Sequence, residues 1–406
     1  MGKETEVAPS AARSGRGFGR RFVRWVALVV VLFLVVFGAA AFYFSGQIGS
    51  DGLAVSPTEP DYSTKVALVE DGAIYLDPED ANAIVEQDGT FGIRWSDGWG
   101  RIGAIEASDD SENLVRRIYI DAGDGAPANG AKTDLSNDAF YGNPREALDL
   151  PFGEVSITGE LGEMPAYLVP GTSKTWVIYT HGKGASRTEG YRALRTLNAL
   201  DYPGLLITYR NDEGAPADPT NQYGYGLREW KDLEAAVQYA LDNGADDVVL
   251  AGWSMGGAIT GQFLSKSPLA KDVRGVILDS PALDLPASIR LGASQRTLPL
   301  TPWAIPDVLT TAAMQVADWR YPTDVTDAVA IDPVVSFDGP VFLAHGTADT
   351  VVPVSVSDEV ATRRGPDRTT YLRVADAEHT AAWNHEPDGY DTELKRWAEA
   401  ELTTGN

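Results

Sequence analysis

The sequence predicts an α/β fold: a mostly parallel sheet with helices on both faces, preceded by a transmembrane helix and a small, mainly β region. Three observations predict it. Residues 25–44 are twenty consecutive uncharged positions, WVALVVVLFLVVFGAAAFYF. Residues 64–150 carry short alternating apolar runs between Gly and Asp clusters. From 151 onward, apolar strands alternate with helical periods, the pattern of a sheet buried on both sides.

Composition narrows the function classes. With 44% hydrophobic residues, 10 Trp and 16 Tyr, the 406-residue chain has ample material for a core, which excludes disorder and fibrous folds. The absence of Cys excludes a disulfide scaffold and a thiolate-zinc domain. The net charge is -25, and the first 24 residues hold six basic and two acidic side chains, so the remainder stands at -29. A body that acidic repels phosphate backbones and argues against nucleic acid as a partner.

The apolar run matches the ~20 residues that cross a ~30 Å hydrocarbon core as a helix. Arg20, Arg21 and Arg24 precede it and Asp51 follows. By the positive-inside rule, residues 1–24 form a cytoplasmic basic tail, 25–44 cross the plasma membrane once, and the body is extracytoplasmic. The alternative is a cleaved signal peptide, through the A-x-A pattern of Ala39 and Ala41. Residues 45–63, rich in Gly, Ser and Pro, read as a linker.

Residues 64–150 read as a small accessory region, with strand-like runs at 65–70, 91–95 and 117–121. The Asp-Gly stretch at 121–125 lacks calcium-loop spacing and reads as a turn. The catalytic candidate is 151–406. Strands are expected at 154–161, 165–169, 175–180, 204–209, 247–253, 275–279, 341–344 and 370–374. Amphipathic helices separate them, for instance one with Leu227, Trp230, Val237 and Leu241 on a single face.

The strand at 247–253 runs into Gly252-Trp253-Ser254-Met255-Gly256-Gly257, and a helical period with Ile259 and Phe263 follows. This is G-x-S-x-G between a strand and a helix. A nucleophile on so tight a turn needs glycine two residues before and after, where a Cβ would collide with neighbouring backbone. Ser254 is therefore the nucleophile candidate, at a helix N-terminus that favours developing negative charge.

A base for Ser254 must be His, and the chain has four. His181 and His345 end strands and read as structural. His379 follows the last strand, where a loop can bring an imidazole to the nucleophile, and His385 is the reserve. The orienting acid is expected on the loop after the preceding strand, where Asp349 lies in HGTADTVVP; Asp279, before Ser280-Pro281, is the competitor. Oxyanion donors are expected in the backbone N–H groups of Met255 and of Lys183, in the His181-Gly182-Lys183-Gly184 turn. Some forty residues, 281–321, separate two core strands and read as a candidate lid over an acyl pocket. P-loop, H-E-x-x-H and post-strand G-x-G-x-x-G patterns are absent.

Together, the H-G-x-G turn at 181–184, GWSMGG at 252–257, HGTADTVVP at 345–353 and the AEH at 377–379 resemble the α/β-hydrolase family over about 151–402. The chain most resembles the single-pass, membrane-anchored branch of that family, similar to lipases, esterases and prolyl-oligopeptidase-type hydrolases. That resemblance implies an eight-stranded sheet whose second strand is antiparallel, and hydrolysis through an acyl-enzyme. Residues 209–214 replace the short R-G-x-G loop common in many esterases. The reading is a serine hydrolase of small-molecule or lipid carboxylic esters, with catalytic Ser254, Asp349 and His379 and no metal or organic cofactor. Alternatives are a peptidase or acyltransferase on the same residues, and a membrane-tethered binding module.

Overall fold

The computed structural model describes residues 16–55, 60–79, 81–109, 114–299 and 301–403. Outside that set lie 1–15 of the expected cytoplasmic tail, 56–59 of the expected linker, 80 and 110–113 of the accessory region, 300 of the candidate lid, and 404–406.

One helix, Arg16–Gln47, carries the apolar run and is long and apolar enough to cross a membrane. Its residues 21–36 are exposed all round, so the helix is hydrophobic on every face with no protein partner there. Residues 45–55 differ from the expected linker. The helix passes into a π-helical turn, Ile48–Leu53, and Leu53 is fully buried. The Leu53 carbonyl accepts from Tyr223 N–H at 2.8 Å, and Ala54 bridges to Gln222. Gly49 serves close packing here, because a Cβ at that position would sit 2.3 Å from the Tyr321 ring.

The accessory region closes into a barrel. Strands β1 (Thr64–Glu70), β2 (Ala73–Asp77), β3 (Phe91–Trp95), β4 (Gly98–Asp109), β5 (Leu114–Asp121) and β6 (Lys132–Ser136) pair in the order β1-β2-β5-β4-β3-β6 and back to β1. Every pairing is antiparallel. Alternation along the strands supplies the interior, including Val66, Ile74, Phe91, Ile93, Ile102 and Leu135. Arg117 of β5 is fully buried and donates to the carbonyls of Ile84 (2.8 Å), Gly89 (3.0 Å) and Gly103 (2.7 Å). Burial pulls its pKa down to about 10, against the opposing pull of the Asp88 carboxylate.

Strands β7 (Gly153–Thr158), β8 (Glu163–Val169), β9 (Thr175–Thr180), β10 (Gly204–Ile207), β11 (Asp247–Trp253), β12 (Val273–Asp279), β13 (Val341–Gly346) and β14 (Thr369–Val374) form the main sheet. Its order is β14-β13-β12-β11-β9-β10-β8-β7. The second strand, β8, is antiparallel to β7 and β10, while β9 through β14 run parallel. Each expected strand forms within a few residues of its expected bounds. Neighbours on β11 face opposite cores: Val248 and Leu250 join one apolar cluster, Val249 and Ala251 the other.

Register then gathers the functional loops. Thr180 lies opposite Gly252, Trp253 opposite Asp279, Asp279 opposite Ala344, and Gly346 opposite Val374. The loops after β9, β11, β12, β13 and β14 therefore open along one edge, the carboxyl ends of parallel strands where α/β sheets bind ligands. The barrel docks beside that edge. Thr90 N–H donates to Asn384 O at 2.7 Å, Asn384 Nδ2 returns a 2.7 Å bond to Thr90 O, and the Phe140 ring lies 5.7 Å from that of Trp383.

Residues 281–321 contain two helices, Leu285–Ser294 and Asp307–Arg320. The second lies along the apolar N-terminal helix. Ala41, Ile305 and Leu309 form a buried cluster with Phe37, Ala40 and Phe44, and Arg320 donates to Phe42 O at 2.8 Å and Ser45 Oγ at 2.6 Å.

Candidate active site

Ser254 sits between β11 and the helix Met255–Lys266 at φ 48°, ψ -116°. Positive φ in a non-glycine residue is strained, and the surroundings hold it there. Its N–H donates to Asp279 O at 3.0 Å, and its carbonyl accepts from Gly257 N–H (3.0 Å) and Ala282 N–H (2.9 Å). Gly256 is required by close approach, since a Cβ there would lie 2.0 Å from Thr180 O. The glycines of the G-x-S-x-G turn thus let helix and sheet meet tightly enough to lift Ser254 out of the strand.

His379 brings its Nε2 to 2.8 Å from Ser254 Oγ and its Nδ1 to 2.7 Å from Asp349 Oδ2. With Nε2 accepting from the serine hydroxyl, Nδ1–H donates to the carboxylate. The loops are tied together, with Thr347 N–H bonded to Val374 O (2.8 Å) and Ala348 N–H to Ala377 O (3.0 Å). Asp349 Oδ1 accepts from the N–H groups of Val351 and Val352, both at 2.8 Å. Burial works against its ionisation, but His345 and His379 beside it hold the carboxyl well below the usual carboxylate range.

The competing residues go elsewhere. Asp279 is buried with Oδ1 3.4 Å from Ser280 Oγ, and burial raises its pKa. His385 packs its ring 6.1 Å from that of Phe91, on the barrel side. His181 is buried, stacked on Tyr209 at 4.5 Å, and bonded through Nε2 to Asp212 Oδ2 at 2.8 Å. Burial tends to lower its pKa, and the Asp212 carboxylate outweighs that, so the net shift is upward. Asp212 belongs to the 209–214 stretch, which therefore clamps the H-G-x-G turn from below.

On that turn, Gly182 N–H donates to the buried Glu189 carboxylate at 2.7 Å. Among the described residues, the next N–H, that of Lys183, has no partner. The Lys183 ammonium is tied down: it donates to Asp51 O and lies 5.9 Å from the Tyr223 ring centroid. Met255 opens its helix, and the first N–H groups of a helix lack intrahelical acceptors. Among the described residues, no group of three or more His, Asp or Glu side chains has the geometry to hold a metal ion.

A family model described as the alpha/beta hydrolase family matches residues 166–402. The chain belongs to the alpha/beta hydrolase family. Among solved structures, the Pyrococcus furiosus esterase Pf2001 aligns over 64% of this chain and 97% of its own, at 20% identity and a TM-score of 0.50. Est1E from Butyrivibrio proteoclasticus aligns over 62% and 100%, at 18% identity and a TM-score of 0.46. No curated protein matches in sequence. At such identities the Pyrococcus likeness speaks to fold. In this alpha/beta hydrolase, the apolar helix and the barrel both precede the matched region.

Two neighbours of the site, Asn137 and Glu189, escaped sequence reasoning, and a third, His345, read there as structural, touches the acid candidate. Asn137 of the barrel segment donates from Nδ2 to His379 O at 2.8 Å. His345 Nε2 lies 3.1 Å from Asp349 Oδ2, with Nδ1 on Ser357 Oγ at 2.7 Å. Glu189 holds Gly182, and burial raises its pKa. His345 stands four residues before Asp349, a spacing that could have flagged it; Asn137 and Glu189 sit in no motif.

Proposed function

We propose that the protein is a serine hydrolase of carboxylic esters, with Ser254 as nucleophile, His379 as base and Asp349 as orienting acid. The single observation that carries this reading is the line of two short hydrogen bonds, 2.8 Å from Ser254 to His379 and 2.7 Å from His379 to Asp349. His379 Nε2 takes the Ser254 proton as Oγ bonds the carbonyl carbon. The Lys183 and Met255 N–H groups accept the oxyanion. Collapse breaks the ester C–O bond, and the alcohol departs with the proton held by His379. Water then attacks the acyl carbon while His379 takes its proton; that proton returns to Ser254 as the carboxylic acid leaves. Asp349 stays ionised and fixes the imidazole tautomer throughout.

In this reading residues 1–24 are cytoplasmic, 25–44 cross the plasma membrane, and barrel and catalytic domain lie outside, supported by Arg20, Arg21 and Arg24 ahead of the apolar run. The substrate is a small-molecule or lipid ester, and residues 281–321 are its lid.

The test is intact-mass labelling of the full chain with a fluorophosphonate, beside Ser254→Ala. A single stoichiometric adduct on the wild type and none on the variant is the expected result. Absence of an adduct on folded wild type would overturn the hydrolase mechanism and favour the binding-module alternative.

A further inference from the structure

A cavity of about 320 Å³ lies between the end of the apolar N-terminal helix, the two helices of 281–321 and the loop that follows Asp349. Its walls are largely apolar, with Phe44 and Ile48 on one side and Leu285, Ile289, Ile305 and Val351 on the others. Two contacts join it to the reaction centre. Asp51, at its rim, accepts the Lys183 ammonium through its carbonyl. Val351 follows Asp349 by two residues and donates its N–H to that carboxylate. Asp51 and Val351 of the cavity wall are thus each one hydrogen bond away from the residues carrying the proposed oxyanion donor and orienting acid.

Its other end lies at bilayer depth in the single-pass reading. Phe44 is both the last residue of the apolar run and a wall of the cavity. The helix Asp307–Arg320 lies against the same run: Arg320, at its C-terminal end, bonds Phe42 and Ser45, while Ile305 and Leu309, at its start, cluster with Phe37, Ala40 and Ala41. The turn between the two lid helices therefore extends alongside residues that sit within hydrocarbon. Trp303 is 70% exposed, Val308 65% and Trp319 80%, large apolar surfaces with no protein cover. Trp at such a level is characteristic of the membrane interface. The Arg296–Asp51 ion pair (3.0 Å) fastens lid to anchor, so the two form one rim.

We propose that this cavity is the acyl site for a long-chain ester resident in the outer leaflet, that the end of the membrane anchor is one of its walls, and that substrate enters from the lipid. The inference rests on the serine-ester reading of Ser254. A soluble esterase needs no anchor in its substrate pocket; here the residues that leave the bilayer are the ones that line it.

Gly292 and Gly52 line the cavity from the lid and anchor sides, and a Cβ added at either meets nothing within 4 Å. The experiment uses full-length protein in lipid nanodiscs, with p-nitrophenyl acetate in the water and a dioleoyl glycerol ester in the bilayer. The wild type is expected to hydrolyse both. Gly292→Trp and Gly52→Phe are expected to keep acetate turnover and fluorophosphonate labelling within twofold and to lose at least tenfold on the dioleoyl ester, while Gly292→Ala keeps both activities. Should one bulky variant fail to label, the other carries the test from the opposite wall. Wild type that turns over acetate but not the bilayer ester would overturn the acyl-site proposal and leave the hydrolase reading intact. Equal loss on both substrates, or no loss on either, would also overturn it. A wild type that neither labels nor hydrolyses acetate would bring down both.

Discussion

Asn137 donates a 2.8 Å hydrogen bond to the carbonyl of His379, 242 residues further along the chain. The barrel segment therefore reaches into the loop that presents the proposed base. Removing one such bond costs about 1 kcal/mol. Asn137→Ala is expected to lower kcat on a short-chain ester about five- to tenfold with KM unchanged, because the displaced group is the proposed base and not a substrate contact. An unchanged kcat would make the barrel a docked neighbour only.

Asp349 and Asp279 compete for one role, and exchanging each for Asn separates them. Asp349→Asn removes the acceptor that fixes the His379 tautomer, and kcat is expected to fall about 10³- to 10⁴-fold. Burial holds Asp279 toward its neutral form, for which Asn is a close mimic. Asp279→Asn is expected to stay within about tenfold of wild type. Steady-state kinetics of the two variants decide the assignment.

The depressed pKa of Asp349 also makes stability depend on pH. Its folded value lies below the unfolded value of about 3.9, so the carboxylate's contribution is fully present above pH ~4 and disappears as pH falls through the folded value. Asp349→Asn has no such group to protonate. Thermal midpoints followed from pH 7 down to pH 2 should fall more steeply for wild type than for the variant; parallel curves would show that the carboxylate is not held low.

Arg210 is buried among Asp232, Asp218 and Glu160, with its Nε 2.7 Å from Asp232 and an Nη 3.2 Å from Asp218. Arg210→Met leaves the buried Asp232 carboxylate without its counter-charge, while Asp218 keeps Arg228 at 3.2 Å, a loss of about 3–5 kcal/mol. Urea midpoints should show it. Asp212 and His181 lie just beyond, so kcat is expected to fall with stability.

Topology can be read without background, because the chain has no Cys. Ser265 is exposed on the catalytic domain. In intact cells an impermeant maleimide is expected to label Ser265→Cys and to leave Ser14→Cys unmodified until the membrane is breached. The reverse pattern would overturn the extracytoplasmic placement.

Much of the fold was legible because it repeats locally. The strands of the main sheet announce themselves as apolar runs of the right length, and β11 followed by G-x-S-x-G fixes where Ser254 stands. With only four His in the chain, spacing after the last strand sufficed to single out His379. Closure of the barrel was not legible, since pairing β1 with β6 joins Thr64 to Thr133 and leaves no periodic trace. The bond from Asn137 to His379 was hidden for the same reason. Residues 45–55 misled because Gly and Ser signal freedom in an isolated segment, whereas Gly49 is small to admit the ring of Tyr321.

Ala41 is buried against Ile305 and Leu309, inside a helix that continues unbroken to Gln47. A processing peptidase works on extended chain, and cleavage of a folded protein tracks the population of its opened state. Once the helix Asp307–Arg320 has closed over Ala41, the Ala39–Ala41 pattern is no longer offered. In the extracytoplasmic reading, any release of the body at that point must therefore precede folding. The proportion of tethered to shed molecules becomes a matter of timing at birth, fixed by which event comes first and insensitive to the age of the protein thereafter.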